Sequence, residues 1–248
     1  MKQNPFLIRL LIASNIVLLS FAAFVLLSSF DKNDNDKKFK EITAERINIV
    51  NADGTPVIAI SNKQRIAGPV MGGKKYPVSV SEGREYMAGM IFFNESGDEM
   101  GGLVFNSFKM PNGRIAGIGH LSFDRFNDNQ VLSLDYNENK AGVRSGLTFY
   151  DRPGDGSFIK NLDLLEEAGL KTTSAERLAE IKNSLKEMNE KKMLGAQRLF
   201  IGSRNETAQI ELKDKNGIVR GRFYVDDSGE ARLEFLNAKG EVTSVFPR

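Results

Sequence analysis

The chain has 248 residues, of which 27% are charged and 41% are hydrophobic. This balance is close to that of an average globular protein, so it argues against wholesale disorder and against a protein that crosses a membrane many times. The 34 Lys and Arg nearly balance the 32 Asp and Glu, and no basic stripe with interleaved aromatic residues is present, so nucleic acid is not an expected partner. The chain has no cysteine, which excludes disulfides, thiolate nucleophiles and cysteine-ligated metal centres.

The most apolar stretch of the chain covers residues 6–30, and Arg9 is its single charged residue. From Leu10 to Leu27 nothing is more polar than serine or asparagine, and a helix of that length nearly matches the thickness of a bilayer core. The run is longer than the apolar part of an ordinary signal peptide, and it does not end in small residues of the A-x-A type. Residues 1–30 are therefore predicted to form an uncleaved transmembrane anchor. The alternative is a cleaved signal and a secreted body.

Positive charges lie on both sides of this anchor, so their count does not by itself assign its orientation. We expect a periplasmic or otherwise extracytoplasmic body, because the apolar segment stands at the start of the chain and because of a resemblance given below. Residues 31–40 contain Asp, Asn and Lys with a single aromatic side chain. Such a segment is too polar to bury any surface and is typical of a solvated spacer.

A recurring turn pattern organises the chain from residue 41 onward. Each copy has Asn or Asp at its first position and Gly at its fourth. The Asx side chain can accept a backbone N–H at the start of a type I turn, and Gly adopts the positive φ that closes a hairpin loop. The five copies are Asn51–Gly54, Asn94–Gly97, Asp214–Gly217, Asp226–Gly229 and Asn237–Gly240.

The last three turns delimit a predicted antiparallel meander over residues 196–248. Apolar residues between these turns keep one parity, as Val219, Phe223 and Val225 do, so they are predicted to share one face of a sheet. The turns follow one another at intervals of about 12 residues, which is too short for a crossover connection between parallel strands. A solenoid- or propeller-like β repeat is the alternative, which the irregular spacing of the earlier copies disfavours.

The first half of the body, residues 41–154, contains strands that are apolar on both faces. Runs such as Met90–Phe93 and Leu103–Phe105 are typical of strands covered on two sides, so this half is predicted to hold the β core. Residues 63–86 form a Gly- and Pro-containing loop that is longer than compact domains usually contain without a reason. The predicted fold is mainly β: an antiparallel meander or sandwich-like sheet built from Asx-x-x-Gly hairpins, with an inserted helical arm.

The helical arm is predicted over residues 155–195. Ile159–Ala168 reads as a short helix, and the capping-box sequence Thr173–Glu176 predicts the start of a second helix that runs to about Leu194. An apolar stripe on the second helix is predicted to lie on the sheet or its edge, or to pair with another helix. This stripe consists of Leu178, Ile181, Leu185 and Met188.

The single histidine lies on a predicted strand together with acidic residues. His120, Ser122 and Asp124 alternate onto one face, where a His and an Asp can form an orienting pair for general base catalysis. A metal site would need oxygens from Asp124, Asp128 and Asp135 and would favour Ca²⁺ or Mg²⁺, but the spacing does not match an EF-hand loop. We therefore expect hydrogen bonds and ion pairs within the sheet, with no metal and no cofactor.

Two further short segments add charge beside the histidine. Arg125 and Asp128 follow Asp124 directly, and Pro153 holds Arg152 in an extended conformation at the end of a strand. No P-loop, dinucleotide-binding or nucleophile-elbow motif is present, so no catalytic residue is assigned. The candidate binding residues are His120, Asp124, Arg125, Asp128, Asp151 and Arg152.

A set of short motifs also carries a resemblance. These motifs are Glu45–Val50, Ala88–Asn94, Gly119–Asp124, Asp151–Pro153 and Gly195–Gly202. In this combination the chain from residue 41 onward resembles a group of uncharacterised bacterial proteins that begin with an apolar leader. The resemblance implies a bacterial protein that is exported or anchored in the cell envelope, and it implies no mechanism.

The sequence thus favours a membrane-anchored envelope protein with a β-rich, non-catalytic domain. Such a domain is expected to bind a protein partner or to self-associate through a sheet edge or the helical arm. The alternative function is a hydrolase-like enzyme that uses His120 and Asp124, with or without a divalent cation.

Overall fold

The computed structural model describes residues 5–28, 38–81 and 83–247. The chain divides into two compact units, Met1–Thr43 and Ala44–Arg248. All the strands lie in the second unit.

The first unit contains helix α1, Pro5–Ser28, which covers most of the apolar stretch. No helix in the described ranges is long and apolar enough to cross a membrane. Residues 1–4 and 29–30 of the predicted anchor, and residues 31–37 of the predicted spacer at 31–40, lie outside the described residues.

One antiparallel sheet of 12 strands forms the framework of the second unit, which confirms the predicted mainly β fold. Strands adjacent in this sheet follow one another along the chain, as expected of a meander rather than of a propeller. A separate hairpin contains β3 (Val70–Met71) and β4 (Lys74–Lys75). The strands of the sheet are β1 (Arg46–Val50), β2 (Pro56–Ser61), β5 (Ala88–Phe93), β6 (Glu99–Lys109), β7 (Ile115–Asp124), β8 (Gln130–Asn139), β9 (Gly142–Asp151), β10 (Ala196–Arg204), β11 (Thr207–Lys213), β12 (Val219–Val225), β13 (Ala231–Leu236) and β14 (Val242–Phe246).

All five predicted Asx-x-x-Gly turns are present. Their glycines have φ between 77° and 87°, which a side chain with a Cβ adopts only at a cost. In four of the turns the first residue accepts a backbone N–H from two residues further on, as Asn94 does from Ser96 at 2.9 Å. In the first turn Asp53 accepts from Thr55 instead, also at 2.9 Å.

The strand register places one apolar residue from every strand in a single row across one face of the sheet. We call this face the apolar face and this row its central row. Alternation along a strand determines which residues share a face. The row is unbroken because, at each of the eleven strand pairings, the register places an apolar residue of one strand directly opposite an apolar residue of the next. The central row is Ile47, Ile60, Met90, Leu103, Leu121, Leu134, Leu147, Ile201, Ile210, Phe223, Leu233 and Phe246.

A second row lies beside the central row on the apolar face, interrupted only by two glycines and a serine. Phe92 and Phe123 stack across the first of these glycines, Gly101, with their ring centroids 6.5 Å apart. The second row is Ile49, Ile58, Phe92, Gly101, Phe123, Leu132, Phe149, Leu199, Leu212, Gly221, Phe235 and Ser244.

The opposite face, which we call the arm face, changes in chemistry along the sheet. It begins with apolar residues, continues with small hydroxyl residues and ends with charged ones. Its central row is Ala59, Ile91, Gly102, Ser122, Ser133, Thr148, Phe200, Glu211, Arg222 and Glu234. Almost all of these side chains are buried, including the two glutamates.

The long loop predicted between residues 63 and 86 covers the apolar end of the arm face. It contains the β3–β4 hairpin and two short 3₁₀ helices, Val78–Val80 and Arg84–Tyr86. Ile66 from the loop packs with Ala59 and Ile91 of the sheet, and together they form one core cluster. The loop is therefore part of the hydrophobic core, which explains its length.

The helical arm lies between β9 and β10. Helix α2 is Ser157–Gly169, and its Leu162 packs on the loop beside Tyr76. Helix α3 is Ala175–Glu190. Its apolar stripe packs on α2 through Ile181, which is fully buried, and therefore pairs with a helix of the same chain rather than with the sheet.

The N-terminus of α3 differs by one residue from the predicted capping box. Ser174, not Thr173, is the N-cap, and its hydroxyl accepts a hydrogen bond from the N–H of Arg177 at 3.2 Å. Thr173 instead donates its hydroxyl to the carbonyl of Glu167 at 2.6 Å, which closes the turn between the helices.

Candidate functional site

A cavity of about 400 Å³ lies between the arm face and the structures that cover it. His120, Ser122 and Asp124 of β7 line its sheet side. Phe158 and Leu162 of α2 line the opposite side, so the cavity has a polar wall and an apolar wall. A cavity of this size with a few convergent polar groups is the usual form of a small-molecule site.

The histidine forms its close pair with Asp135 rather than with Asp124. Antiparallel pairing of β7 with β8 places His120 directly opposite Asp135, and their side chains approach to 2.6 Å from Nδ1 to Oδ1. Ser133 donates its hydroxyl to the other carboxylate oxygen at 2.5 Å. Burial raises the pKa of Asp135, but the hydrogen bonds from His120 and Ser133 outweigh burial, and its pKa is lowered.

This arrangement orients the imidazole ring. With Nδ1 held by Asp135, the ring nitrogen that is available to a molecule in the cavity is Nε2. Arg144 lies 3.8 Å from the same carboxylate and donates to Thr148 at 2.7 Å, which extends the polar network across β9.

Asp124 is the least satisfied charged group of the cavity. Its Oδ1 is buried and has no hydrogen-bond partner. Burial and the negative charge of nearby Glu99 raise the pKa of Asp124 to about 7, although His120, Ser122 and Arg152 act in the opposite direction. Asp124 therefore changes its protonation near neutral pH.

The cavity also contains an ion pair that sequence reasoning missed. Arg84 of the long loop donates to both carboxylate oxygens of Glu99 on β6, at 3.0 and 2.8 Å, and to the carbonyl of Ala67 at 2.7 Å. Arg84 is buried and uses all three of its donor nitrogens in these contacts. The conspicuous length of the loop was the only signal that pointed to this region.

Arg125 and Asp128 stabilise the turn that follows β7. Asp128 is almost fully buried and accepts from the backbone N–H groups of Asn129 and Gly154, each at 2.7 Å. Arg125 is exposed and donates to the carbonyl of Arg152. These contacts connect the β7–β8 turn to the start of the arm, which is a structural role.

Asp151 and Arg152 separate at the end of β9. Asp151 is exposed and pairs with Arg198 on the neighbouring strand β10. Arg152 donates to the carbonyls of Gln130 and Leu194 at 2.8 and 2.6 Å, so it holds the end of the arm against the sheet. Burial lowers the pKa of Arg152, and Asp128 counteracts this effect.

The structure therefore divides the six candidate residues into two groups. His120 and Asp124 reach the cavity, while Arg125, Asp128, Asp151 and Arg152 make hydrogen bonds or ion pairs within the fold. Within the described ranges, no group of three or more His, Asp or Glu side chains is placed to hold a metal ion.

The apolar face is a second candidate surface. Many of its side chains are strongly exposed, among them Leu134 at 53%, Phe223 at 49% and Phe246 at 55%. Where glycines such as Gly119 and Gly202 interrupt the side chains near the middle of the sheet, the face has a shallow depression of about 580 Å³. The predicted one-sided distribution of apolar residues in the meander is therefore confirmed, but this side is exposed.

Comparison of the chain with protein-family models, with curated proteins and with solved structures finds no match.

Proposed function

We propose that this chain is a non-catalytic assembly protein of the bacterial envelope, anchored by its N-terminal helix, with its body on the extracytoplasmic side. We further propose that its sheet associates with a second copy of the chain through the apolar face. The observation that carries this proposal is the central row, which is apolar on all 12 strands from Ile47 to Phe246.

The extent of the apolar face favours a buried state. The largest apolar patch on a typical soluble monomer covers about 300–600 Å². Strands lie about 4.8 Å apart, so 12 strands and two rows of side chains make a face of about 50 by 15–20 Å, or about 800–1,000 Å². Leaving such a face in water would be costly, because each buried Å² of apolar surface contributes about 25 cal/mol.

The same estimate matches what a stable dimer needs. A standard protein interface buries about 800 Å² on each partner, so two apolar faces in contact reach the size of a specific complex. Both rows consist of uncharged residues, and packing one antiparallel sheet on another is the ordinary β-sandwich arrangement. A two-fold axis allows one surface to pair with itself, so no second binding surface is required.

The support for the proposed anchoring is the apolar sequence of residues 6–30, in which Arg9 is the single charged residue. An anchor restricts copies of the chain to one membrane, which raises their effective concentration and favours association.

Crosslinking through an introduced cysteine tests the proposed dimer, because the chain has no cysteine of its own. Leu134→Cys places a thiol in the middle of the apolar face, and Lys182→Cys places one at an exposed position of α3 as the matched control. In membranes that contain the full chain, a short bismaleimide is expected to link two copies of the Leu134→Cys variant and to leave the control monomeric. Crosslinks mainly to other proteins, or equal dimer yields in both variants, would contradict the proposal.

The introduction of charged residues gives the complementary test. The double variant Leu134→Glu, Phe223→Glu places two carboxylates at exposed positions of the apolar face, where the fold itself should tolerate them. We expect the full chain in lipid nanodiscs or mild detergent to change from dimer to monomer by light scattering, whereas Lys182→Glu stays dimeric. A wild-type chain that is still monomeric at protein concentrations on the order of 10 µM would also overturn the proposal.

A hydrolase-like activity is the second candidate, supported by the orientation of His120 by Asp135 at the wall of the cavity. A panel of nitrophenyl esters and phosphates, with and without Mg²⁺, tests it. Turnover that disappears in His120→Gln would support the enzyme, and turnover that is equal in the variant would reject it.

A further inference from the structure

We infer that the cavity between the arm face and α2 binds a small protonated amine with an apolar body, with its ammonium group at Asp124. This inference does not depend on the proposed dimer, because the cavity lies on the other face of the sheet. It rests on the charges, the partners and the shape of the cavity.

The charges of the cavity favour a cationic ligand over an anionic one. Among the side chains that line it, Glu99 and Asp124 carry carboxyl groups and Arg84 carries the one guanidinium. Arg84 donates to both carboxylate oxygens of Glu99 and to a backbone carbonyl, so its positive charge is already paired with Glu99, and Asp124 is left as the carboxyl group of the lining without such a pair. An ammonium group would instead supply the positive charge that Asp124 lacks.

The hydrogen-bonding state of Asp124 agrees with this preference. Its Oδ1 is buried without a hydrogen-bond partner, and a buried polar atom in that state is costly. The groups that act on its charge are Glu99 on β6, His120 and Ser122 on β7, and Arg152 after β9. Their combined effect with burial raises the pKa of Asp124 to about 7, so an ammonium group would bind with the loss of the carboxyl proton.

The opposite wall of the cavity determines the rest of the ligand. Phe158, Leu162 and Leu165 of α2 and Met71 of the loop line this wall, and Leu162 and Met71 are almost fully buried. A volume of about 400 Å³ lies at the lower end of the range for small-molecule sites, about 300–1,000 Å³. The shape thus suits a compact amine with a ring or branched alkyl group, rather than a peptide or a long chain.

Three probes of one shape test the charge preference: cyclohexylamine, cyclohexanol and cyclohexanecarboxylate. They are titrated by calorimetry into the full chain in lipid nanodiscs at pH 7.5, with empty nanodiscs as the blank. We expect saturable binding of the amine, binding of the alcohol at least tenfold weaker, and no binding of the carboxylate. Because His120 is the single histidine, its imidazole NMR signals report directly whether the amine occupies this cavity.

The variant Asp124→Asn removes the proposed partner while keeping the shape of the side chain. The amine should then bind no more tightly than the alcohol, and continued binding of the alcohol shows that the cavity is intact. Asp227→Asn, at an exposed hairpin turn, is the matched control and should bind like the wild type.

Proton release gives a readout on the wild-type chain alone. Between pH 5.5 and 7, binding of the protonated amine should release up to one proton from the Asp124 carboxyl group, and the affinity should increase with pH until Asp124 is ionised. Absence of amine binding, a carboxylate that binds as tightly as the amine, or an Asp124→Asn variant with unchanged amine affinity would overturn the inference.

Discussion

The arm face of the sheet is built in two different ways at its two ends. On β2 and β5 it consists of residues such as Ala59 and Ile91, which are buried under the long loop. On β11 and β13 the same face carries Glu211 and Glu234, which are equally buried. The first end is stabilised by the hydrophobic effect, whereas the second depends on ion pairs between neighbouring strands.

The C-terminal end shows how charged residues become buried on a sheet. Glu234 accepts from Arg222 at 2.5 Å and from the hydroxyl of Tyr224 at 2.8 Å. Arg222 also lies over the Tyr224 ring at 4.6 Å. These long side chains cover the carboxylate with their own atoms, and the apolar residues of the same strands point to the exposed side. Alternation along a strand therefore determines which residues share a face, and it does not determine which face is buried.

Replacement of one isoleucine by alanine at each end of the sheet is expected to give the largest difference in stability. Ile91→Ala removes a buried side chain, 4% exposed, and is expected to lower the free energy of unfolding by about 2–5 kcal/mol. Ile210→Ala removes a side chain that is 38% exposed, and about 1 kcal/mol or less is expected in the monomer. Urea unfolding at a submicromolar protein concentration, where the chain is expected to be monomeric, measures both losses in free energy. Equal losses would mean that the apolar face is covered even under these conditions.

The pH dependence of stability distinguishes the cavity in the middle of the sheet from the C-terminal end. Asp124 has a pKa raised to about 7 by burial and Glu99, so the folded state binds a proton that the unfolded state has lost above about pH 4. Stability should therefore fall as pH rises from 4 to 7. The difference amounts to about 4 kcal/mol, since each pKa unit corresponds to about 1.4 kcal/mol. Asp124→Asn should remove this dependence.

Asp226, in a turn of the C-terminal meander, should behave in the opposite way. Hydrogen bonds from Ser228 and Arg232 lower its pKa, so its contribution to stability is present above about pH 4 and is lost as pH falls. Asp226→Asn should make the free energy of unfolding less dependent on pH below about pH 4. The pH dependence between pH 5 and 7 should stay as in the wild type. The same profile for both variants would argue against the assignment of Asp124.

The ion pairs of the C-terminal end are tested by Glu234→Ala. This change removes the acceptor for Arg222 and Tyr224, and a loss of about 1–3 kcal/mol is expected because two partly buried donors lose hydrogen bonds to a charged acceptor. Glu234→Gln should lose less, since it keeps an acceptor, and exposed Glu230→Ala serves as the control. Thermal unfolding is the measurement, and a loss no greater than that of the control would mean that these pairs contribute nothing.

The smallest expected effect concerns the turns. Gly229 has φ +86° and open space around the position of a Cβ, so Gly229→Ala tests backbone strain without a steric clash. A loss of about 1 kcal/mol is expected, and Gly229→Asn should lose less because Asn tolerates the left-handed conformation. An alanine variant as stable as the wild type would show that this hairpin does not depend on its glycine.

Much of the fold was predictable because its signals are local. Each Asx-x-x-Gly turn is defined by four consecutive residues, and a positive φ at Gly54 or Gly240 follows from the chemistry of that tetrad alone. The helices of the arm were found in the same way, although the cap of α3 moved from Thr173 to Ser174 because both residues can accept the same hydrogen bond.

The site was predictable only in part, because its contacts join distant segments. The sequence correctly pointed to His120 and Asp124 as residues on one face of a strand, and both reach the cavity. Asp135 became the partner of His120 through the register of β7 against β8. Arg84 meets Glu99 only because the long loop folds back over β6.

The sequence by itself therefore specifies the turns and the strands between them. It also specifies which residues of a strand share a face, since all of these features depend on neighbours along the chain. The assembled sheet adds what no local pattern contains: a row of apolar residues that is continuous over 12 strands, and a cavity whose charges come from three separate segments. The physical reason is that register and burial are properties of the packed structure, in which one shift by a single residue would exchange the two faces of the sheet.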